Sequence, residues 1–255
     1  MTSIVGIRCK DGVVIGSDTS ATFGDGVSSR TIEQETERKI EVIGNAIIVA
    51  GTGYVGHHQR FVAVAKKLHN VGTFKGSMLE KAKLLSSKAI EEFSATHVRR
   101  LEYAALVAFE AEGQPVLCEY PLGDIHVGAF QPEIKMPNDK LWFASVGSGQ
   151  QITDPFLALM RTIFWPNELP TLKEGKFMAL WALKHACDVN PGGIKEPIKI
   201  AVMEKKGSSY QAALLSDPEH AEANDMVGAA TQHFAKYRDV LRGESSEAAP
   251  PPTAA

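Results

Sequence analysis

The sequence predicts an α+β domain: two antiparallel sheets with pairs of helices packed on their outer faces. Three observations predict it. Clusters of strand-like runs alternate with pairs of helix-like runs, in the order strands, two helices, strands, two helices, strands, helix. Short turn signals such as Asp11-Gly12 and Glu112-Gly113 separate neighbouring strands, which is hairpin chemistry. The one-strand, one-helix alternation of a doubly wound parallel sheet is missing. The 255 residues, 44% of them hydrophobic, suffice for one large domain.

Taken in order, residues 3–9 read as a strand, with Ile4, Val5 and Ile7 apolar, and "VVIGSD" as its hairpin partner. The stretch "GDGVSSRTIEQETE" reads as a loop with a short extended piece. "KIEVI" and "AIIVA" are two more strands, joined at Gly44-Asn45. From Gly53 to His69, Phe61, Val64, Ala65 and Leu68 recur at helical spacing, and Met78, Ala82, Leu85, Ala89 and Phe93 do so over 77–98. Strands follow near 103–110, 115–120 and 124–129, and "LWFASVG" is another. Helices are expected over 151–163, entered through Thr153-Asp154-Pro155, and over 173–188. A hairpin over 198–204 and 209–214 closes around Lys206-Gly207, and a last helix spans 218–241 with Met226, Phe234, Tyr237 and Leu241 on one stripe. Residues 1–242 are thus expected to form a single domain. The tail 243–255 is Pro/Ala-rich and has no apolar face, so it is expected to be disordered.

Bulk properties exclude several classes of function. The formal net charge of −3 favours no nucleic-acid partner. No apolar run approaches the ~20 residues that span a bilayer, and the N-terminus lacks a secretion signal, so a cytoplasmic location is expected. Cys9, Cys118 and Cys187 are scattered and odd in number, which suggests buried thiols instead of a disulfide framework or a metal site. His57-His58 are adjacent on a helix, about 100° apart, with no third ligand spaced to help, and read as exposed helix histidines. No metal and no cofactor are expected, and there is no G-x-S-x-G elbow.

"AGTGYVG", residues 50–56, carries the G-x-G-x-x-G pattern of dinucleotide sites between a strand and a helix. Such a site needs an acidic residue about 20 positions on, at the end of a second strand. That position falls in "NVGTFKG", which has neither. A tight strand-to-helix turn, where glycine permits close packing, accounts for the pattern better.

The chain opens Met1-Thr2-Ser3. Methionine aminopeptidase removes an initiator that precedes a small residue, and Thr2 would then carry a free α-amine beside its own hydroxyl. An α-amine titrates near 7.7–8.0, so at working pH it can be neutral and accept the hydroxyl proton. Nucleophile and base then reside on one residue.

Four stretches give that threonine its context: "TSIVGIRCKDGVVIGSDTSAT", "RKIEVIGNAIIVAGTG", "SVGSGQQ" and "DVNPGGIKEPIKIAVM". In this order they resemble the proteasome β-type subunits of the N-terminal nucleophile (Ntn) hydrolase superfamily, from Thr2 to about Lys206. Among relatives the chain looks most like the bacterial proteasome homologue of betaproteobacterial type, or HslV- and Anbu-like proteins, without a propeptide. The resemblance implies the four-layer αββα sandwich of that superfamily. It implies Thr2 as nucleophile, Asp18 as the acid that orients a lysine, and Lys39 as that lysine, whose charge stabilises the alkoxide and keeps the amine unprotonated. The Asp18-to-Lys39 loop is longer than usual in the family, and Arg38 is the nearby rival to Lys39. Gly51 is implied as the oxyanion donor through its N–H, Ser148 with Gly149 as the hydroxyl that bonds the threonine amine, and Asp188 as a carboxylate supporting that serine. Pro191 stands where the family has a further serine, with Asn190 beside it. Ala21, Val49 and Gly53 are implied around the substrate pocket, with Val49 as its floor, and Thr19 to Thr22 as an edge that binds substrate as an added strand.

The function expected on these grounds is a self-assembling threonine-type hydrolase that cleaves peptide bonds inside a ring-shaped chamber. The resemblance implies a homo-oligomeric ring or double ring, a heptamer among its sizes, an unfolded-protein or peptide substrate, and an AAA+ ATPase unfoldase as partner. Two alternatives stand beside it. One is a non-proteolytic amidase acting on small amides. The other is a weakly active or non-catalytic ring scaffold; α-type subunits carry a helical extension before the first strand, and none is expected here.

Overall fold

The computed structural model describes residues 1–23, 30–33, 39–96, 101–122, 130–136, 140–191 and 193–244. The chain divides into two compact units, Met1–Leu215 and Ser216–Ala255.

In the first unit the opening hairpin sets the architecture. Strands β1 (Ile4–Arg8) and β2 (Gly12–Ser17) are buried at every position. Strands buried on both faces must lie between two covering layers. One sheet runs β10-β1-β2-β11-β12, adding β10 (Phe143–Val146), β11 (Lys199–Lys206) and β12 (Ser209–Leu214). The other runs β5-β6-β7-β8-β9, from β5 (Ile40–Ile43), β6 (Ile47–Gly53), β7 (Tyr103–Ala111), β8 (Gln114–Tyr120) and β9 (Glu133–Ile134). Every pairing is antiparallel.

Period-two alternation sorts the side chains. Ile4, Val13 and Ile15 meet Ile48, Ala50, Leu106 and Leu117 between the sheets. The alternate residues Ile47, Val49, Tyr103, Val107 and Phe109 pack with Phe61 and Leu68 of α1 (Val55–Asn70) and Leu85 and Phe93 of α2 (Met78–Ser94). On the opposite outer face, α4 (Leu172–Val189) lies on β1 and β2, and α3 (Gln150–Phe164) packs beside it. The result is the αββα layering expected from the element order. Two capping boxes start helices here, Ser77 with Glu80 at α2 and Thr171 with Glu174 at α4.

A ribbon of β3 (Ser20–Phe23) and β4 (Arg30–Glu33) stands apart from both sheets and includes the short extended piece of the charged loop. Helix α3 begins at Gln150, earlier than Thr153-Asp154-Pro155 suggests. The Thr153 hydroxyl donates back to the Gly149 carbonyl, 3.1 Å away, and so cannot cap a helix of its own. The strand expected near 124–129 lies outside the described residues, as do Arg38 and residues 245–255 of the tail.

The second unit holds helix α5 (Asp217–Leu241), opened by a capping box of Ser216 and Glu219. Phe234, Tyr237 and Leu241 are exposed along it. Among the described residues no helix is long and apolar enough to cross a membrane.

Candidate active site

Sheet register brings the N-terminus to its neighbours. β1 pairs with β10 through Ile4 and Val146, so the residues before Ile4 meet those after Val146. The Thr2 N–H donates to Ser148 Oγ at 3.1 Å, and the Thr2 carbonyl accepts from the Gly149 N–H at 3.0 Å. Gly147 between them has φ +100°, and a Cβ there would run into the Thr2 carbonyl. The turn that seats Thr2 therefore requires glycine at that position.

On the other side of β1, Ile4 pairs with Ser17 of β2, which sets Asp18 beside Ser3. The Ser3 N–H donates to Asp18 Oδ1 at 2.8 Å, and the Asp18 N–H donates to the Ser3 carbonyl at 3.2 Å. Asp18 is fully buried. Its Oδ1 also receives Lys39 Nζ at 2.7 Å, and its Oδ2 receives the N–H and the hydroxyl of Ser20. The Lys39 side chain is 13% exposed, so the pair is largely withdrawn from water. A carboxylate withdrawn from water needs such company to offset its lost hydration: an opposite charge and several donors.

Met1 occupies this site. Its side chain lies over Gly193, and its Sδ accepts from Asn190 Nδ2 at 3.5 Å. Burial first, and the Lys39 charge second, hold its α-amine below the ordinary value of 8.0, while Asp18 opposes them. Thr2, Asp18, Lys39 and Ser148 thus converge on one place, together with Asn190 and Gly193.

Three of the expected residues stand differently. Asp188 is exposed in the last turn of α4, and no hydrogen bond joins it to Ser148; Met1 fills the space beside Asn190 and Gly193 instead. Val49 is wholly buried in the core against α1 and α2, because it alternates in step with Ile47, and it floors no open pocket. The Gly51 N–H donates to the Lys39 carbonyl at 3.1 Å, one rung beyond the Ile40–Ala50 pair of the β5–β6 ladder, so it does not face an open site in this state. Ala21 is half-buried on β3. Gly53 lines an open cleft of about 670 Å³ that also takes in Thr52, Glu102, Glu119, Gly147 and Ser148. Of the pocket residues, it alone borders that cleft.

The glycines of residues 50–56 have separate reasons. A Cβ at Gly51 would run into Tyr103 Oη and His58 Nδ1, which are themselves hydrogen-bonded at 3.0 Å. Tyr103 is fixed there by ring contacts with Phe61 at 5.4 Å and Phe93 at 6.3 Å. His57 and His58 are accordingly half-buried against aromatic rings, not exposed as the sequence suggests. Gly53 has φ +115°, and a Cβ there would collide with the Glu102 carbonyl. Gly56, the second residue of α1, faces nothing within 4 Å. Alanine at 51 or 53 is expected to destabilise the protein by about 1–3 kcal/mol each, through overpacking and backbone strain respectively. Alanine at 56 should instead stabilise it by about 0.5–1 kcal/mol, since glycine is the poorer helix former. Urea unfolding of the three variants separates these signs.

Comparison with known proteins follows the same lines. Residues 1–126 match the Proteasome family, described as proteasome subunit. A proteasome subunit beta of Nanoarchaeum equitans (strain Kin4-M) is 34% identical over 90 residues, 34% of this chain and 43% of that relative. The chain therefore spans less than half the length of that protein. A proteasome subunit beta 2 of Pyrobaculum aerophilum is 25% identical over 213 residues, 80% of this chain and 89% of that relative. Among solved structures, Anbu from Hyphomicrobium sp. strain MC1 superposes with a TM-score of 0.65 at 14% identity, over 92% of this chain and 97% of its own. A mutant of the same protein gives 0.66 at 16% identity with the same coverage. At these identities the structural likeness concerns the fold alone.

Proposed function

The comparisons support the proteasome β-type superfamily of N-terminal nucleophile hydrolases, and on that premise we propose that the chain cleaves peptide bonds with Thr2 once Met1 is removed. One observation carries the proposal. The Thr2 nitrogen lies on Ser148 Oγ, while the next residue's N–H holds the buried carboxylate that pairs with Lys39.

In the proposed cycle the freed Thr2 amine, neutral, takes the proton from Thr2 Oγ. The oxygen attacks the substrate carbonyl and forms a tetrahedral oxyanion. Collapse expels the leaving amine, which receives that proton, and leaves an acyl group on Oγ. Water, deprotonated by the same amine, then releases the acid and restores the hydroxyl. Lys39 supplies positive charge throughout and is held in place by Asp18. With the Gly51 N–H bonded to the Lys39 carbonyl, the oxyanion in this state leans on Lys39. Ser148 orients the amine. Asp188 contributes only if departure of Met1 lets it approach. The open cleft beside Ser148 and Gly53 offers room for substrate.

The matched relatives are named as subunits, which supports a homo-oligomer. We take it to be a ring or double ring whose chamber admits unfolded chains, in the cytoplasm, with an ATP-driven unfoldase feeding it. An amidase acting on small amides would share the cycle but leave unfolded protein uncut. A non-catalytic scaffold would keep Met1.

The amine is the base only when neutral, that is, above its pKa. With Met1 in place, burial and the Lys39 charge hold the Met1 amine below its ordinary value, and the freed Thr2 amine, taking its place beside the same Lys39–Asp18 pair, is expected to be lowered in the same direction. Peptide-amide hydrolysis should therefore rise with pH through a single limb centred below pH 8. A limb centred above pH 8 would contradict an amine base in this setting. Parallel assays on a small amide and on an unfolded protein divide the protease from the amidase.

A further inference from the structure

Ser20 lies on the Thr19-to-Thr22 edge, where the resemblance gives its own side chain no role, yet it touches the pair that the proposed reaction depends on. It is fully buried at the start of β3. Its N–H and its hydroxyl both reach Asp18 Oδ2, the oxygen that Lys39 does not use. The same hydroxyl lies 2.9 Å from the Gly193 carbonyl, on the turn that Met1 covers. Next to it, Thr19 Oγ1 donates to the Pro197 carbonyl at 2.8 Å, which pins the segment to the same region of the chain.

A hydroxyl has one proton to donate. Two acceptors face it, an anionic carboxylate and a neutral carbonyl. The carboxylate takes it, because a hydrogen bond to an ionised acceptor is the stronger one. We propose that Ser20 is a positioning residue: its hydroxyl fixes Asp18 Oδ2 and damps the carboxylate charge that faces Lys39 and the neighbouring α-amine. This rests on the threonine-hydrolase reading, in which that amine is the base.

Among the described residues, three titratable groups face Asp18. Lys39 faces it from the start of β5, and the α-amine from the N-terminus. From α4 comes Cys187, whose thiol is pushed up to about 12 by burial first and by Asp18, Glu196 and Asp188 after it, so it is neutral at working pH. Neither Cys187 nor the two outer carboxylates offers Asp18 a donor in place of Ser20.

Without the Ser20 hydroxyl, Asp18 would act on Lys39 and the amine as a fuller negative charge. Both would bind protons more tightly, and the carboxylate could turn. Ser20→Ala should therefore label with a peptide β-lactone about 10- to 100-fold more slowly at neutral pH, the scale of a small misplacement at a reacting centre. The rising limb of its pH profile should move upward by roughly one unit, the scale set by one charge-assisted hydrogen bond. Ser20→Thr, which keeps the hydroxyl, should restore rate and limb together. A role in packing alone would leave that limb where it is.

A second readout needs no activity. Lys39, followed by NMR of isotope-labelled lysine in protein carrying Thr2→Ala, should titrate higher when Ser20→Ala is added. If the otherwise unmodified protein labels but neither its pH limb nor the Lys39 titration moves in Ser20→Ala, the positioning role is overturned and the hydrolase reading stands. If nothing labels while Lys39 still shifts, the hydrolase reading fails and the Ser20–Asp18–Lys39 coupling stands.

Discussion

Thr2→Ala is expected to abolish covalent labelling by a peptide β-lactone or epoxyketone, a loss of at least about 10⁴-fold in rate, the scale of removing the nucleophile from an acyl-transfer site. The fold should survive the change. Thr2 is tied down by its backbone, through its N–H to Ser148 Oγ and its carbonyl to the Gly149 N–H, and alanine keeps both bonds. It is half-buried, and neither the core between the sheets nor the core against α1 and α2 includes it. Unfolding stability should therefore stay within about 0.5 kcal/mol of the unmodified protein, the range of a substitution away from core and caps. Thr2→Ser, which keeps a hydroxyl beside the same amine, should still label. If Thr2→Ala reacts at the original rate, another side chain is the nucleophile.

The largest effect on stability is expected at Asp18. Asp18→Ala deletes the acceptor of Lys39 Nζ, of the Ser3 and Ser20 N–H groups and of the Ser20 hydroxyl. It leaves an ammonium group that is 13% exposed without its counter-charge. Breaking a buried pair from one side costs roughly 3–5 kcal/mol, because the remaining charge stays withdrawn from water. For a chain of this size that corresponds to a fall in Tm of about 6–20 °C. The double variant Asp18→Ala with Lys39→Met should recover part of the loss, since replacing both partners by apolar groups removes the orphaned charge. Calorimetry on the single and double variants tests this. Equal Tm for Asp18→Ala and the unmodified protein would show that the pair is hydrated and carries little.

The layers of the first unit were legible in the sequence because period and turn chemistry act locally. Runs such as "VVIGS" and "AIIVA", each near a turn signal, can only be strands covered on both faces. The capping boxes were equally legible, as Ser77…Glu80, Thr171…Glu174 and Ser216…Glu219, and the expected starts at 77, 173 and 218 fall within a residue of Met78, Leu172 and Asp217. The start of α3 was also legible to within a residue, at 151 against Gln150; only its entry differs, since Pro155 falls inside the helix.

The site was legible only where a motif marked it. Val49 could have been assigned to the helix-side core from its alternation with Ile47. The constraint on Gly51 could not, because it comes from Tyr103 and His58, set against it by β-sheet register and a helix turn. Ser20 was out of reach for the same reason: one of its partners, the Gly193 carbonyl, lies 173 residues away along the chain. Asp188 shows the opposite limit. A matched position on a helix end says which residue to watch, and its side chain points to solvent while Met1 lies beside Asn190.

In the proposed reaction Thr2 acts through its own freed amine. Intact-mass analysis of the purified protein, before and after reaction with a peptide β-lactone, tests it most directly. The expected spectrum shows a chain lacking Met1 that gains one label, with the adduct mapping to Thr2. A chain that keeps Met1 and still hydrolyses peptide amides would contradict it.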